Sequence, residues 1–182
     1  MPSTVFVSKE SRFRQSPGAV FIYEAKWASN YGALETSHNI KEAILKQSVH
    51  SLEIATRGQG LYEFTSIISK WMRNQKMQVG VLTVFCRHTS ASLLIQENAD
   101  PTVRVDIQSY FDRIAPEHGP YAHDSEGPDD MPAHLKTALT QVHLSVPVIN
   151  GNLALGTWQG IYLFEHRAHP HRREIVLHLI GE

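Results

Sequence analysis

The chain has 182 residues, enough for one domain with a substantial core. Hydrophobic residues make up 42% and charged residues 19%, and the formal charge of −1 leaves no basic field of the kind nucleic acid attracts. No run approaches the roughly 18 apolar residues of a membrane span, and the single cysteine, Cys86, excludes an intrachain disulfide, which fits a reducing, cytoplasmic setting.

Residues 1–46 read as an N-terminal extension, partly disordered, ahead of a domain over residues 47–182. Met1–Phe13 carries Lys9 and Arg12 against one acid, Glu10, a faint likeness to a transit peptide without its amphipathic pattern. Val20–Trp27 has β-type residues, and Asn39–Lys46 is expected as a short helix. Ser48–Thr56 alternates as a half-buried strand, with Leu52, Ile54 and Thr56 on one face. After the turn Arg57–Gly60, the spacing of Leu61, Phe64, Ile68, Trp71 and Met72 predicts a helix over Leu61–Asn74. Gly80–Phe85 is a continuous apolar run and reads as a buried strand. The polar segment Arg87–Ser92 follows it directly, and Ser92–Gln96 returns to strand character.

Asp100 is a good N-cap with Pro101 behind it, so Pro101–Ile114 is expected as a helix with Val103, Ile107, Tyr110, Phe111 and Ile114 on one face. Pro132 opens a further short helix with Leu135, Ala138 and Leu139 inward and His134 and Lys136 on its flanks. Val142–Ile149 alternates as a strand, Pro147 places it near a sheet edge, and Asn150-Gly151 signals a type I′ hairpin. Leu153–Leu155 is the return, interrupted by Gly156–Gly160 and resumed over Ile161–Phe164, and Glu174–Ile180 is the last strand. About seven strands and three helices, with hairpins at the end, define an α+β fold with a mainly antiparallel sheet.

Chemistry concentrates late in the chain. Nine of the eleven histidines lie from His88 onward. The sixteen residues Tyr121–Lys136 hold six acids or histidines: His123, Asp124, Glu126, Asp129, Asp130 and His134. Taken alone, this stretch suits a site wall or a polar surface loop equally. Further candidates fall at strand ends and helix starts: His88 with Thr89 and Ser90, Glu97 with Asn98, and Glu165, His166 and Arg167. Three or four histidines from separate segments have the residue types of a metal site, although no HExxH or paired CxxC motif is present. Ser90 or Ser92 with His88 lacks a GxSxG elbow and a third member. Cys86 reads as a buried thiol, and His143, His171 and His178 as structural. Arg87, Arg104, Lys136, Arg167, Arg172 and Arg173 have the chemistry for a phosphate or diphosphate ligand.

Three blocks, HTSASLLIQENADP, HDSEGPDDMPAHLKTAL and PVINGNLALGTWQGIYLFEHR, together resemble the YjbQ-like family, known in part as secondary thiamine-phosphate synthases. The resemblance covers Gln47 to the C-terminus. It implies a homotrimer of α+β subunits, a divalent metal (Mg or Zn) and small phosphorylated heteroaromatic substrates, with no nucleic-acid or membrane partner. The activity it implies joins a hydroxymethylpyrimidine diphosphate to a thiazole phosphate, giving thiamine phosphate and pyrophosphate. A metal-dependent hydrolase of a phosphorylated metabolite and a non-catalytic trimeric metal-binding protein are the alternatives. By motif match, His88, Glu97, Asp129, Asp130, Glu165 and His166 are expected to be catalytic. Thr89, Ser90, Asn98, Lys136, Trp158, Gln159 and Arg167 are expected to bind substrate, and His123, His134 and His166 to hold metal. Asp124 stands where the family pattern suggests asparagine. Whether His123 and His134 ligate a metal or move protons stays open at this level.

Overall fold

The computed structural model describes residues 21–23 and 44–182. Three layers build the domain. The first is a six-stranded antiparallel sheet in the order β1-β2-β9-β4-β6-β7, formed by β1 (Phe21–Tyr23), β2 (Leu45–Ala55), β4 (Val79–Cys86), β6 (His143–Ile149), β7 (Asn152–Leu153) and β9 (Arg172–Gly181). The second is a three-stranded antiparallel sheet, β3-β8-β5, from β3 (Gly60–Glu63), β5 (Ala91–Glu97) and β8 (Gln159–Glu165), flanked by α1 (Thr65–Arg73). Helices α2 (Pro101–Ile114) and α3 (Asp130–Leu139) lie over the second sheet, where Phe111 meets Phe164 edge-on at 5.3 Å.

The core fills the space between the sheets. Leu82, Val84, Leu144, Val146, Ile175, Leu177 and Leu179 point into it from one side, and Leu93, Ile161, Leu163, Ile68 and Met72 from the other. Period-2 alternation in the strands produces this, because successive side chains leave opposite faces. In β8 the same alternation sends Ile161, Leu163 and Glu165 inward while Tyr162, Phe164 and His166 lie beneath α2 and α3.

Several expectations need correction. Leu61 belongs to β3, which pairs with β8, and Phe64 is the residue before α1; the helix therefore starts at Thr65. The shared apolar spacing concealed a strand, because Gly58 and Gly60, at φ of +139° and +144°, reset the chain direction first. β4 is buried on one face only, with Val81 and Phe85 exposed. α2 forms over the expected residues, and the Asp100 carboxylate accepts from the Thr102 amide at 2.8 Å, but none of its residues is fully buried. α3 is rotated from the expected face: Ala133, Lys136 and Thr137 are buried and Leu139 is exposed. Gly156–Gly160 does not bulge one strand; there the chain leaves the first sheet for the second. The Asn39–Lys46 helix is displaced at its end, since Leu45 and Lys46 open β2; the rest of it, and most of the 1–46 extension, lie outside the described residues. Among the described residues no helix is long and apolar enough to cross a membrane.

Candidate metal centre

The Asn150-Gly151 turn, with φ of 51° and 70°, and the β8 register together fix where the late segments meet. Ala91 pairs with Glu165 at one end of β5–β8, and Glu97 with Gln159 at the other. Six strand steps separate these ends, about 20 Å. The candidates therefore divide into two groups.

At the Gln159 end, Glu97, Asn98, Trp158 and Gln159 serve the connection between strands. The Asn98 amide donates to the Trp158 carbonyl at 2.9 Å, the Tyr162 hydroxyl donates to the Glu97 carbonyl at 3.2 Å, and the Gln159 side chain accepts from the Gly156 amide at 2.8 Å. Trp158 is 65% exposed. This end is distant along the sheet from the histidine cluster.

At the Glu165 end lies the organised chemistry. α3 begins at Asp130, and helical spacing stacks Asp130 and His134 on one face. His123 reaches them from the preceding loop. One ligand atom from each of His123, Asp130 and His134 lies within 4.8 Å of the others. Asp130 is held from behind: Arg167, beyond the end of β8, donates to its Oδ1, to Asp129 Oδ2 at 3.1 Å and to the Glu126 carbonyl at 2.8 Å. Burial pushes the Asp129 carboxyl up, but the Ala168 amide and the Arg167 charge outweigh it and hold it below the usual range. His134 Nδ1 faces the Thr89 carbonyl at 2.9 Å. A carbonyl only accepts, so Nδ1 carries a proton and Nε2 is the nitrogen that faces the cluster. His123 Nε2 lies 2.7 Å and His134 Nε2 3.6 Å from the buried Asp130 Oδ2, neither as an aligned hydrogen bond.

Other expected site residues have different tasks. Glu165 is fully buried on the core side, where it accepts from Arg173 at 2.7 and 2.5 Å and from Thr56 at 2.9 Å, and so ties β2, β8 and β9 together. His166 lies apart from the His123–Asp130–His134 cluster: it is buried beneath the helices, its Nε2 2.9 Å from Ser92 Oγ. Burial first, and then the Lys136 and Arg173 charges, lower its pKa to about 3. Lys136 is buried and paired to Asp112 at 2.6 Å, and Arg87 pairs with Glu174 at 2.8 Å. Arg172 pairs with Glu53 at 3.1 Å. These cations, with Arg167 and Arg173, are thus already matched to carboxylates and do not form the expected phosphate cradle. Cys86 is buried as expected, with burial pushing its thiol up to about 11.

Beside His134 opens a cavity of about 740 Å³, walled by Phe85, Cys86, Val142, Thr137 and Ala138, with Arg87, His88 and Thr89 at its edge. Ser90 is not among its lining residues. His88 Nε2 accepts the Glu174 amide at 2.7 Å, so this ring is neutral with its proton on Nδ1; burial and the Arg173 charge depress its pKa further. Sequence reasoning missed the Ser92–His166 pair and the Phe85–Val142 wall. The first was signalled only by a strand register, and the second by the alternation within Gly80–Phe85.

An antiparallel α+β domain with clustered histidines and acids at a strand end is the class these features define. The chain belongs to the YjbQ-like UPF0047 family, whose model matches residues 50–182. It is 49% identical over 141 residues to a UPF0047 protein of Synechocystis, covering 77% of this chain and 96% of that one. It is 41% identical over 133 residues to the YjbQ protein of Escherichia coli, covering 72% and 96%. A solved YjbQ/UPF0047 structure from Clostridium acetobutylicum, 35% identical, superposes with a TM-score of 0.64 over 71% of this chain and 96% of that one. One from Sulfolobus solfataricus, described as of unknown function, gives 0.71 at 22% identity over 76% and 99%, a likeness of fold alone. These findings overturn the thiamine-phosphate synthase expectation: the family model and these relatives are described only as UPF0047 or YjbQ-like proteins, and none carries that activity in its name. The paired state of Lys136 and Arg167 agrees, because it leaves neither free to take a departing diphosphate.

Proposed function

We propose that the chain is a metalloprotein that holds one divalent transition metal on His123 Nε2, His134 Nε2 and Asp130 Oδ2 and carries out water chemistry there. The observation that carries this reading is the buried Asp130 Oδ2, on which His123 Nε2 at 2.7 Å and His134 Nε2 at 3.6 Å converge without an aligned hydrogen bond. A buried carboxylate oxygen in that state is costly unless a cation completes it. Two imidazole nitrogens and one carboxylate oxygen suit zinc, iron or cobalt better than magnesium, which prefers oxygen ligands. Three protein ligands with an open side are the pattern of catalytic rather than structural zinc. When bound, such an ion supplies Lewis-acid chemistry and acidifies water.

The protein's own residues set the rest. Arg167 fixes the Asp130 carboxylate, and the Thr89 carbonyl holds the His134 ring orientation. The test is metal content after dialysis against zinc, measured on the full chain and on His134→Ala and Asp130→Asn. Near-stoichiometric zinc in the parent and at least a tenfold weaker hold in both variants is expected. Equal zinc in all three would sink the reading.

We further propose that the chain self-associates as a trimer. Support comes from the outer face of the six-stranded sheet, where Val49, Val79, Val81 and Ile149 are 40–56% exposed. Sedimentation velocity checks this, a trimeric mass being the expected outcome.

A further inference from the structure

The cavity beside His134 says what class of ligand the centre takes, an inference that rests on the metal-centre reading. Charge is the first consideration. Of the cations around the centre and its cavity, Arg87 ends on Glu174, Lys136 on Asp112, Arg167 on Asp129 and Asp130, and Arg173 on Glu165. The Lys136, Arg167 and Arg173 pairs are buried and lie outside the cavity lining, so a phosphate or diphosphate entering here would meet one cation, Arg87, which it would have to share with Glu174 in a half-exposed ion pair.

Polarity is the second consideration. Phe85, Val142, Ala138 and the aliphatic parts of Thr137 and Thr140 make most of the wall. The polar functions at the edge are the Thr89 hydroxyl, His88 and the Arg87 guanidinium, which is paired to Glu174. The Glu174 amide occupies His88 Nε2, so the ring offers Nδ1–H as a donor, and Nδ1 has no partner among the described residues. A largely apolar chamber with a fixed neutral donor on one side and His134 on another matches a molecule that is itself uncharged. Such a molecule has an apolar body and a carbonyl oxygen that accepts a hydrogen bond.

We propose that the cavity binds an uncharged acyl compound, a carboxylic ester or amide, with His88 Nδ1–H donating to its carbonyl oxygen and its acyl carbon toward the His134 edge. The reaction this permits is hydrolysis: one water adds across the acyl bond, the acyl carbon takes the hydroxyl and the departing alcohol or amine takes the proton. His88 orients and polarises; it does not itself exchange a proton, since its free lone pair is already taken by the Glu174 amide.

The test separates ligand class from metal binding. Hexanamide and hexyl phosphate, matched in chain length, are titrated calorimetrically into the metal-free full chain. The amide is expected to bind at least tenfold more tightly. Ala138→Trp, at an exposed helix position, fills the cavity and is expected to abolish amide binding while leaving zinc content unchanged. His88→Gln, whose amide can both accept from the Glu174 N–H and donate onward, is expected to retain most of the affinity. His88→Phe is expected to lose about tenfold, the worth of one hydrogen bond. The zinc-loaded chain should then cleave 4-nitrophenyl hexanoate in preference to 4-nitrophenyl phosphate. Tighter binding of the phosphate, or amide binding that survives Ala138→Trp, overturns the ligand class and leaves the metal centre standing. Loss of zinc binding in the parent chain overturns the centre itself.

Discussion

Arg167 commits its whole guanidinium to the loop in front of α3, bridging Asp129, Asp130 and the Glu126 carbonyl. Arg167→Met should therefore cost about 3 kcal/mol or more in urea unfolding, because two largely buried carboxylates lose their counter-charge. It should weaken zinc binding as well. Lys136 gives the opposite expectation. Its ammonium is buried while Asp112 is half exposed, so Lys136→Met removes a desolvated charge and leaves the surviving carboxylate in water. Unfolding free energy should change by less than about 1 kcal/mol, with zinc binding intact. The sequence pattern made both residues look like substrate cations. Residue type and proximity were legible, but the partners were not, since Asp112 and Asp129 come from segments whose approach only the fold determines.

Elements were more legible where local chemistry was decisive. The α2 boundaries followed from Asp100 and Pro101, and the β6–β7 hairpin from Asn150-Gly151, because caps and left-handed turns are set by a few adjacent atoms. β3 and α1 were merged because apolar residues at i, i+3 and i+7 suit either a helix or a strand followed by a helix. The orientation of α3 was misjudged because its buried face carries Lys136 and Thr137, polar residues that hydrophobicity assigns to solvent. The contact between the start of β4 and the end of β9 is a backbone approach that no periodicity reveals. A Cβ at Gly181 would meet the Val79 carbonyl oxygen at 2.1 Å. Gly181→Ala should cost about 1–3 kcal/mol in chemical unfolding and speed hydrogen exchange at Gln78 and Val79, whose amides bond the Glu182 carbonyl.

For the whole molecule, the buried His166 sets an acid limit. Its folded pKa, about 3, lies below the unfolded value near 6.5, so the native state excludes a proton that the unfolded chain accepts. Stability is full above about pH 6.5 and falls as pH drops toward 3, at about 1.4 kcal/mol per pH unit for this one group. Urea midpoints between pH 7 and 4 should trace this decline, and His166→Asn should flatten it. Loading the metal acts in the other direction: free zinc at a hundredfold over its dissociation constant adds about 2.7 kcal/mol, raising the melting temperature by roughly 5–10 °C. The domain class and the family blocks could be read from the chain; of the three histidines expected together, His123 and His134 meet and His166 does not. The division of the candidates between two ends of β5–β8 could not, because strand register is a long-range property. Finally, the clamp that Arg167 makes between β8 and α3 bears on timing. Asp130 and His134 are already fixed on one helical turn, so capture of the ion requires no folding. Stopped-flow mixing with zinc should give a rate that scales with metal concentration and no slow phase, the limiting event being loss of water from the ion rather than rearrangement of the chain.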